Sequence, residues 1–457
     1  MNAEKDFRSN LKILLISCYE LGRQPLGLAS PVAFLERAGY RAEAIDVSIE
    51  PLDERRVRQA DFVGISVPMH TALRLGARVA DRVRALNPTC HLCFYGLYAS
   101  LHADYLLGRG ADSVVGGEYE QALVELVDRI ARSPARPDRR PRIFLDRLSF
   151  PVPQRRELAP LDSYAALEHL GELRRVGTVE ASRGCLHQCL HCPIPPVYGG
   201  RFFVVPREIV LEDIRRLVSA GATHITFADP DFLNGPGHVL PIVRRMHAEH
   251  PELTFDFTSK VEHLLKHRAS LPELARLGGL FIVSAVESLS DRVLQQLRKG
   301  HRREDVFLVL RWVREAGICL RPTWVPFTPW TRLADYLSIL DWVAEEDLID
   351  HVDPVQFSIR LLVPPGSLLL NRPGMKPHLG RLDQDSLTYE WRHPDPRMDS
   401  LQSSVSDLVE RQTAAGLPAP EIFESIRELA FSTAGRRAGR LSARPRQAPR
   451  LTETWFC

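Results

Sequence analysis

Short apolar runs alternate with amphipathic stretches over the first 130 residues, and that alternation sets the expected fold. Apolar runs at 11–17, 42–47, 62–67, 92–96 and 113–116 have the length of buried strands. Between them, stretches at 30–38, 71–86, 101–107 and 118–130 repeat apolar residues at helical spacing. This βαβ rhythm predicts a doubly wound parallel sheet, which binds ligands beyond the carboxyl ends of its strands. Ser66, His70, Gly96, Gly116, Gly117 and Glu118 fall at those ends. Glycines there permit close backbone approach, and the helix starts that follow offer amide donors.

From 132 to 173 the chain turns rich in arginine and proline and reads as an extended linker. The strand–helix rhythm then resumes in larger units over 174–371, with strands expected at 176–182, 224–228, 253–258, 280–285, 319–325 and 354–361. In a βα barrel the active site collects at the carboxyl ends of such strands. Those ends carry Asp229 and Asp231, Lys260, and Glu287 with Ser288. Arg321, Thr323, Gln356 and Ser358 are expected to point inward by alternation. A helical C-terminal region is expected over 372–434, and a flexible basic tail over 435–457 ends in Cys457.

The candidate chemistry lies in Glu180-Ala-Ser-Arg-Gly-Cys-Leu-His-Gln-Cys-Leu-His-Cys-Pro193, where Cys185, Cys189 and Cys192 are spaced C-x3-C-x2-C on a loop leaving the first barrel strand. Three thiolates on a short loop suit one corner of an iron–sulfur cube. With no fourth cysteine nearby, one iron is left open to a chelating substrate. The alternative is a structural Cys3His zinc site borrowing His187 or His191. Cys90 and Cys93 form a C-x2-C pair, but positions three apart on a strand face opposite ways, so they read as buried strand cysteines, as does Cys319.

Composition narrows the classes. A net charge of +2 over 457 residues gives no electrostatic claim on nucleic acid. No apolar run approaches the ~20 residues of a membrane span, and the N-terminus lacks a signal peptide's apolar core. An oxygen-sensitive cluster needs a reducing compartment, so the expected location is the cytoplasm.

The C-x3-C-x2-C loop resembles that of the radical S-adenosylmethionine (SAM) superfamily, with His191 where an aromatic residue is usual. The resemblance implies a partial (β/α)6 barrel with a [4Fe–4S] cluster on Cys185, Cys189 and Cys192. It further implies SAM chelating the fourth iron, and reductive cleavage of SAM to a 5′-deoxyadenosyl radical. Phe227-Ala-Asp-Pro-Asp-Phe232 and Ser284-Ala-Val-Glu-Ser288 resemble SAM-contacting strand ends of B12-type members. They make Asp229, Glu287 and Ser288 the expected SAM contacts. Asp61-Phe-Val-Gly-Ile-Ser-Val67, Phe94-Tyr-Gly-Leu-Tyr-Ala99 and Val115-Gly-Gly-Glu-Tyr-Glu120 resemble the cobalamin-binding domain preceding many such cores. That implies cobalamin near Ser66, His70, Gly96, Gly116, Gly117 and Glu118. The Asp-x-His-x-x-Gly motif that supplies a lower cobalt ligand is absent, so cobalamin would bind without one.

The ending Leu451-Thr-Glu-Thr-Trp-Phe-Cys457 resembles the CUAEP/CCAEP-tail radical SAM proteins, whose tail runs on past this cysteine. The expectation is a UGA codon after Cys457, recoded as selenocysteine.

The overall expectation is an α/β enzyme performing radical methylation or another group transfer on a small molecule, reduced by a partner such as flavodoxin or ferredoxin. No catalytic residue is assigned. One rival is a radical SAM enzyme without functional cobalamin that acts on a soft metal or metalloid held by the tail. The other is a non-enzymatic iron–sulfur or zinc sensor or carrier, whose first domain binds a flavin or nothing.

Overall fold

The computed structural model describes residues 11–132, 141–439 and 448–453. Its first sheet has strands β1 (Ile13–Ser17), β2 (Ala42–Asp46), β3 (Phe62–Ser66), β4 (His91–Tyr95), β5 (Ser113–Gly117) and β6 (Arg142–Phe144), in spatial order β2-β1-β3-β4-β5-β6. Every pairing is parallel. β1, β3 and β5 are buried along their whole length, as a sheet covered on both faces requires. β6 lies inside the stretch read as linker. It docks beside Gly116 and Gly117, where a Cβ on Gly117 would meet the Phe144 carbonyl at 2.0 Å.

A hairpin of β7 (Leu167–His169) and β8 (Glu172–Arg174) precedes β9 (Val176–Val179). After β9 come β10 (Ser182–Gly184) and β11 (Phe202–Val204), an antiparallel ribbon enclosing the cysteine loop. β12 (His224–Phe227), β13 (Thr254–Thr258), β14 (Gly279–Glu287) and β15 (Cys319–Trp324) complete a five-stranded parallel sheet ordered β15-β14-β13-β12-β9. Ile225, Phe227, Phe255, Phe257, Ile282 and Leu320 face the covering helices and share one core with them.

The sixth expected strand, 354–361, does not form a ladder. Pro354 has no N–H to donate, and Pro354–Phe357 coils into a 3-10 turn. The Gln356 side chain supplies the missing acceptor, Oε1 taking the Trp324 N–H at 3.0 Å. Pairing resumes only at the bridge between Phe327 and Arg360.

Beyond the barrel, the hairpin β16 (Leu379–Asp383) and β17 (Thr388–Trp391) and two packed helices, Pro396–Ala414 and Ala419–Thr433, follow. The hairpin tip reaches the first sheet, where Leu387 is buried in its core. Part of the expected flexible tail is docked. β18 (Arg450–Leu451) pairs with β7, and Leu451 joins Leu167, Val176, Phe281 and Val283 in an apolar plug. Arg321, expected to point inward, donates to the Pro449 carbonyl at 3.2 Å and to Asp353 at 3.3 Å.

The two sheets are joined through buried charge. Arg183, in β10, donates to Glu120 at 2.6 and 2.8 Å and to Glu180 at 2.5 Å, with Glu118 at 3.5 Å. Tyr198 donates to Glu118 at 3.1 Å, and Ser30 to Glu120 at 2.7 Å. Burial pushes the Glu118 carboxyl up to about 7 against the pull of Arg183. Replacing Arg183 with methionine strands these carboxylates in the interior. The expected loss is about 3–5 kcal/mol of unfolding free energy, measured by urea denaturation of the cluster-free chain.

Candidate active site at the cysteine loop

The cysteine loop is fixed before any cofactor is considered. Gly184 has φ 71°, and a Cβ there would lie 2.3 Å from the Arg201 carbonyl, so only glycine lets β10 turn into Cys185 against β11. The Leu190 N–H donates to the Leu297 carbonyl at 3.0 Å, and that of Cys192 to the Cys189 carbonyl at 3.3 Å. Cys185 and Cys189 are buried and Cys192 half-buried. Burial pushes the Cys192 thiol up to about 12 and raises that of Cys185.

The three sulfurs are spread more widely than a single zinc ion would hold them. A tetrahedral zinc with Zn–S bonds of about 2.3 Å needs its sulfurs roughly 3.8 Å apart. Among the described residues, these cysteines do not come within 4.8 Å of one another as a set, with or without a histidine.

Glu287 stands beside this loop. β14 bulges against β15 between Ala285 and Glu287, leaving Glu287 at φ 66°, a conformation that non-glycine residues adopt under strain. The bulge turns its carboxylate toward the loop, where Oε1 lies 3.2 Å from both Lys299 Nζ and His191 Nε2. Burial works to raise this carboxyl, but Lys299 and His191 together override it and hold it at about 2. His191, between Cys189 and Cys192, therefore holds a carboxylate. Lys299 is fully enclosed, with Glu287 as its principal counter-charge and the cysteines of the loop beside it. Ser288 is buried next to it and accepts the Ser290 N–H at 3.1 Å.

Asp229 has the opposite environment. It accepts the Ala181 N–H at 2.9 Å and the Ser182 hydroxyl, tying the exit of β12 to the approach of the cysteine loop. Among the described residues no cation pairs with it, and burial pushes it up to about 7. Asp231 accepts from Ser259 at 2.9 Å and from His263 Nδ1 at 2.7 Å. Lys260 pairs with Glu262 at 3.3 Å.

The candidates on the first sheet are engaged within the protein. A Cβ on Gly27 would lie 2.3 Å from Ser66 Oγ, so Ser66 faces that close helix approach. Gly96 packs against the Val67 carbonyl and Gly116 against Ser100. His70 Nε2 lies 2.8 Å from the Ser386 carbonyl and is turned to the hairpin tip; burial, the main cause, lowers it to about 4. Beside the tip, a cleft of ≈ 730 Å³ runs along Ser100, His102, Tyr105, Arg109, Gln384 and Tyr389.

Two family models match the chain, the B12 binding domain over residues 13–127 and the Radical SAM superfamily over residues 179–326. The chain carries a B12 binding domain followed by a Radical SAM domain. It is 25% identical over 327 residues to the hopanoid C-3 methylase of Methylococcus capsulatus, covering 68% of this chain and 62% of the methylase. It is 23% identical over 188 residues to a putative methylthiotransferase of Methanocaldococcus jannaschii, covering 38% of this chain and 40% of that protein. This radical SAM chain thus spans less than two thirds of either relative.

Its fold is similar to the cobalamin-dependent radical SAM enzyme OxsB with aqua-cobalamin bound, at TM-score 0.66 and 14% identity, covering 90% of this chain and 68% of that one. It is also similar to the radical SAM methyltransferase TsrM of Kitasatospora setae, at TM-score 0.61 and 18% identity, covering 74% and 73%. No helix among the described residues is long and apolar enough to cross a membrane.

The opposed carboxylates of this radical SAM site give a pH signature. An Asp229 raised from about 3.9 unfolded to about 7 folded stabilises the chain fully below the unfolded value and loses that contribution as pH rises through about 7. Glu287, held at about 2, contributes above its unfolded value and loses the contribution as pH falls through about 2. The Tm of the cluster-free protein is expected to fall between pH 5 and 7.5, and Asp229→Asn should flatten part of that slope.

Proposed function

We propose that this chain cleaves SAM reductively at a [4Fe–4S] cluster and uses the product for methyl transfer to a small molecule, with cobalamin carried by the first domain. A [4Fe–4S] cluster with SAM on its open iron supplies the 5′-deoxyadenosyl radical, and cobalamin supplies a methyl carrier. The observation that carries the reading is the Arg183 clasp. It places the exit of β5, in the B12 binding domain, against the strand that leads into Cys185. The names of the hopanoid methylase and of TsrM support methyl transfer as the outcome.

In this reading Cys185, Cys189 and Cys192 hold the cluster. Glu287, ionised throughout the physiological range, accepts a hydrogen bond from the SAM ammonium group on a carboxylate that also holds Lys299 and His191. Ser288 fixes the turn that aims Glu287. Asp229 positions the loop through Ala181 and Ser182. The backbone at Gly96, Gly116, Gly117 and Glu118 forms the floor for cobalamin. Ser66 sets the helix approach beside that floor, and His70 stays on the Ser386 carbonyl without serving as a cobalt ligand. A low-potential donor such as flavodoxin or ferredoxin reduces the cluster.

Anaerobically reconstituted protein should bind close to four irons and, once reduced, release 5′-deoxyadenosine or methylated product from SAM. Replacing any of the three cysteines with alanine should abolish both. Glu287→Gln should weaken SAM binding roughly tenfold or more while the iron content holds. Protein that retains its irons yet leaves SAM intact would overturn the reading.

Added hydroxocobalamin should co-purify with the chain, and its visible spectrum should be the same in His70→Ala. A spectral change in that variant would make His70 a ligand after all.

A further inference from the structure

Between the exits of β12 and β13 lies a group of side chains that neither holds Glu287 nor docks the domains. His187, from the cysteine loop, and His263, from the helix Val261–Lys266, turn their Nε2 atoms toward each other at 3.0 Å, with ring centroids 4.6 Å apart. Each ring has a carboxylate at its other nitrogen. Asp231 Oδ2 lies 2.7 Å from His263 Nδ1, and Glu262 Oε2 lies 3.4 Å from His187 Nδ1. Asp231 and His263 are buried, with side-chain exposures of 1% and 8%.

An imidazole whose Nδ1 donates to a carboxylate presents a lone pair at Nε2, which is how metal-ligating histidines are oriented. Facing at 3.0 Å, the two nitrogens need either a proton or a metal cation between them. Zinc bonded to two nitrogens at about 2.0–2.1 Å holds them roughly 3.3 Å apart at the tetrahedral angle, close to the spacing found. One ligand atom from each of His187, Asp231 and His263 lies within 4.8 Å of the others. Among the described residues, no other set of three or more such side chains gathers this closely.

We propose that His187, His263 and Asp231 form a mononuclear site for a zinc-type divalent cation, distinct from the cluster cysteines. His187 and His263 ligate through Nε2. Asp231 orients His263 by accepting from its Nδ1, and water fills the remaining positions. The imidazole–carboxylate donor set suits zinc or cobalt(II) over calcium or magnesium. The ion would tie together the stretch between Cys185 and Cys189, the exit of β12 and the helix after β13. Its part is to hold the cysteine loop, and its binding does not depend on SAM cleavage.

The test uses cobalt(II) as probe on the full-length chain with Cys185, Cys189 and Cys192 all changed to alanine, so that neither cluster nor thiolate can take the metal. One equivalent should bind saturably, with visible ligand-field bands and no sulfur-to-cobalt charge-transfer band. His263→Ala or His187→Ala in that background should abolish binding, and Asp231→Asn should weaken it roughly ten- to a hundredfold. Far-UV circular dichroism confirms that each variant is folded, and His263→Gln replaces any alanine variant that is not. In the cluster-bearing protein exposed to zinc, elemental analysis should find one zinc beside the iron. Failure of the triple-cysteine variant to bind cobalt, or undiminished binding in folded His263 variants, overturns the site.

Discussion

A guanidinium buried among three carboxylates holds this molecule in its working shape. Removing Arg183 and its partners from water costs several kcal/mol per ion, and close contacts must offset that cost. The contacts at 2.5 to 2.8 Å to Glu180 and Glu120 do so, with Glu118 more distant at 3.5 Å. Such a cluster tolerates little displacement, because sliding the first sheet by an ångström or two would leave charge unpaired in the interior. Arg183 is two residues from Cys185, so the same constraint fixes where the cysteine loop begins relative to the exit of β5. Domain docking and the placement of the cysteine loop are therefore one structural event.

The barrel has two carboxylates at strand exits with opposite electrostatics, and the contrast separates their roles. Glu287 sits on a bulge with a buried lysine and a histidine at 3.2 Å, and stays charged at any pH the protein meets. Asp229 accepts from a backbone amide and a hydroxyl, and burial raises its carboxyl to about 7. A fixed negative charge suits recognition of an ammonium group. A carboxyl satisfied by its own chain suits bracing. The strained backbone supports the same division, since Glu287 is at positive φ and no such distortion is found at Asp229.

Much of this was legible in the sequence where the chemistry is local. Cysteine spacing is set by covalent reach within one loop, so Cys185, Cys189 and Cys192 stood out unaided. Buried parallel strands are continuous apolar runs, so β1, β12 and β13 fell within a residue or two of their expected limits. Long-range pairing was not legible. Lys299 lies between Arg298 and Gly300, and nothing local says that it turns inward to Glu287. His191 read as a stand-in for an aromatic and proved to be a carboxylate partner. Arg183 carried a faint signal, being a charged residue inside an otherwise buried strand run. Pro354 was compatible with the first residue of a strand or with a 3-10 turn, and only the reach of Gln356 to the Trp324 amide decides for the turn. Residues 133–140 of the expected linker, and Thr454–Cys457 with the recoded-codon expectation, lie outside the described residues.

The lumen of the barrel restricts how a substrate reaches this site. Parallel register places Thr226, Asp256 and Phe281 on one face of the sheet, and Val283 and Ala285 follow on the same face by alternation. At the lower end Val176, Phe281 and Val283 pack under Leu167 and Leu451, so the docked strand β18 closes that route with apolar side chains. At the upper end Thr258, Ala285 and Thr323 are half-buried, so solvent reaches the lumen from the side of the strand exits. Arg183 and Tyr198 press the first domain against that same side. The apolar plug at the far end of the barrel thus leaves the strand exits as the side from which the lumen is reached.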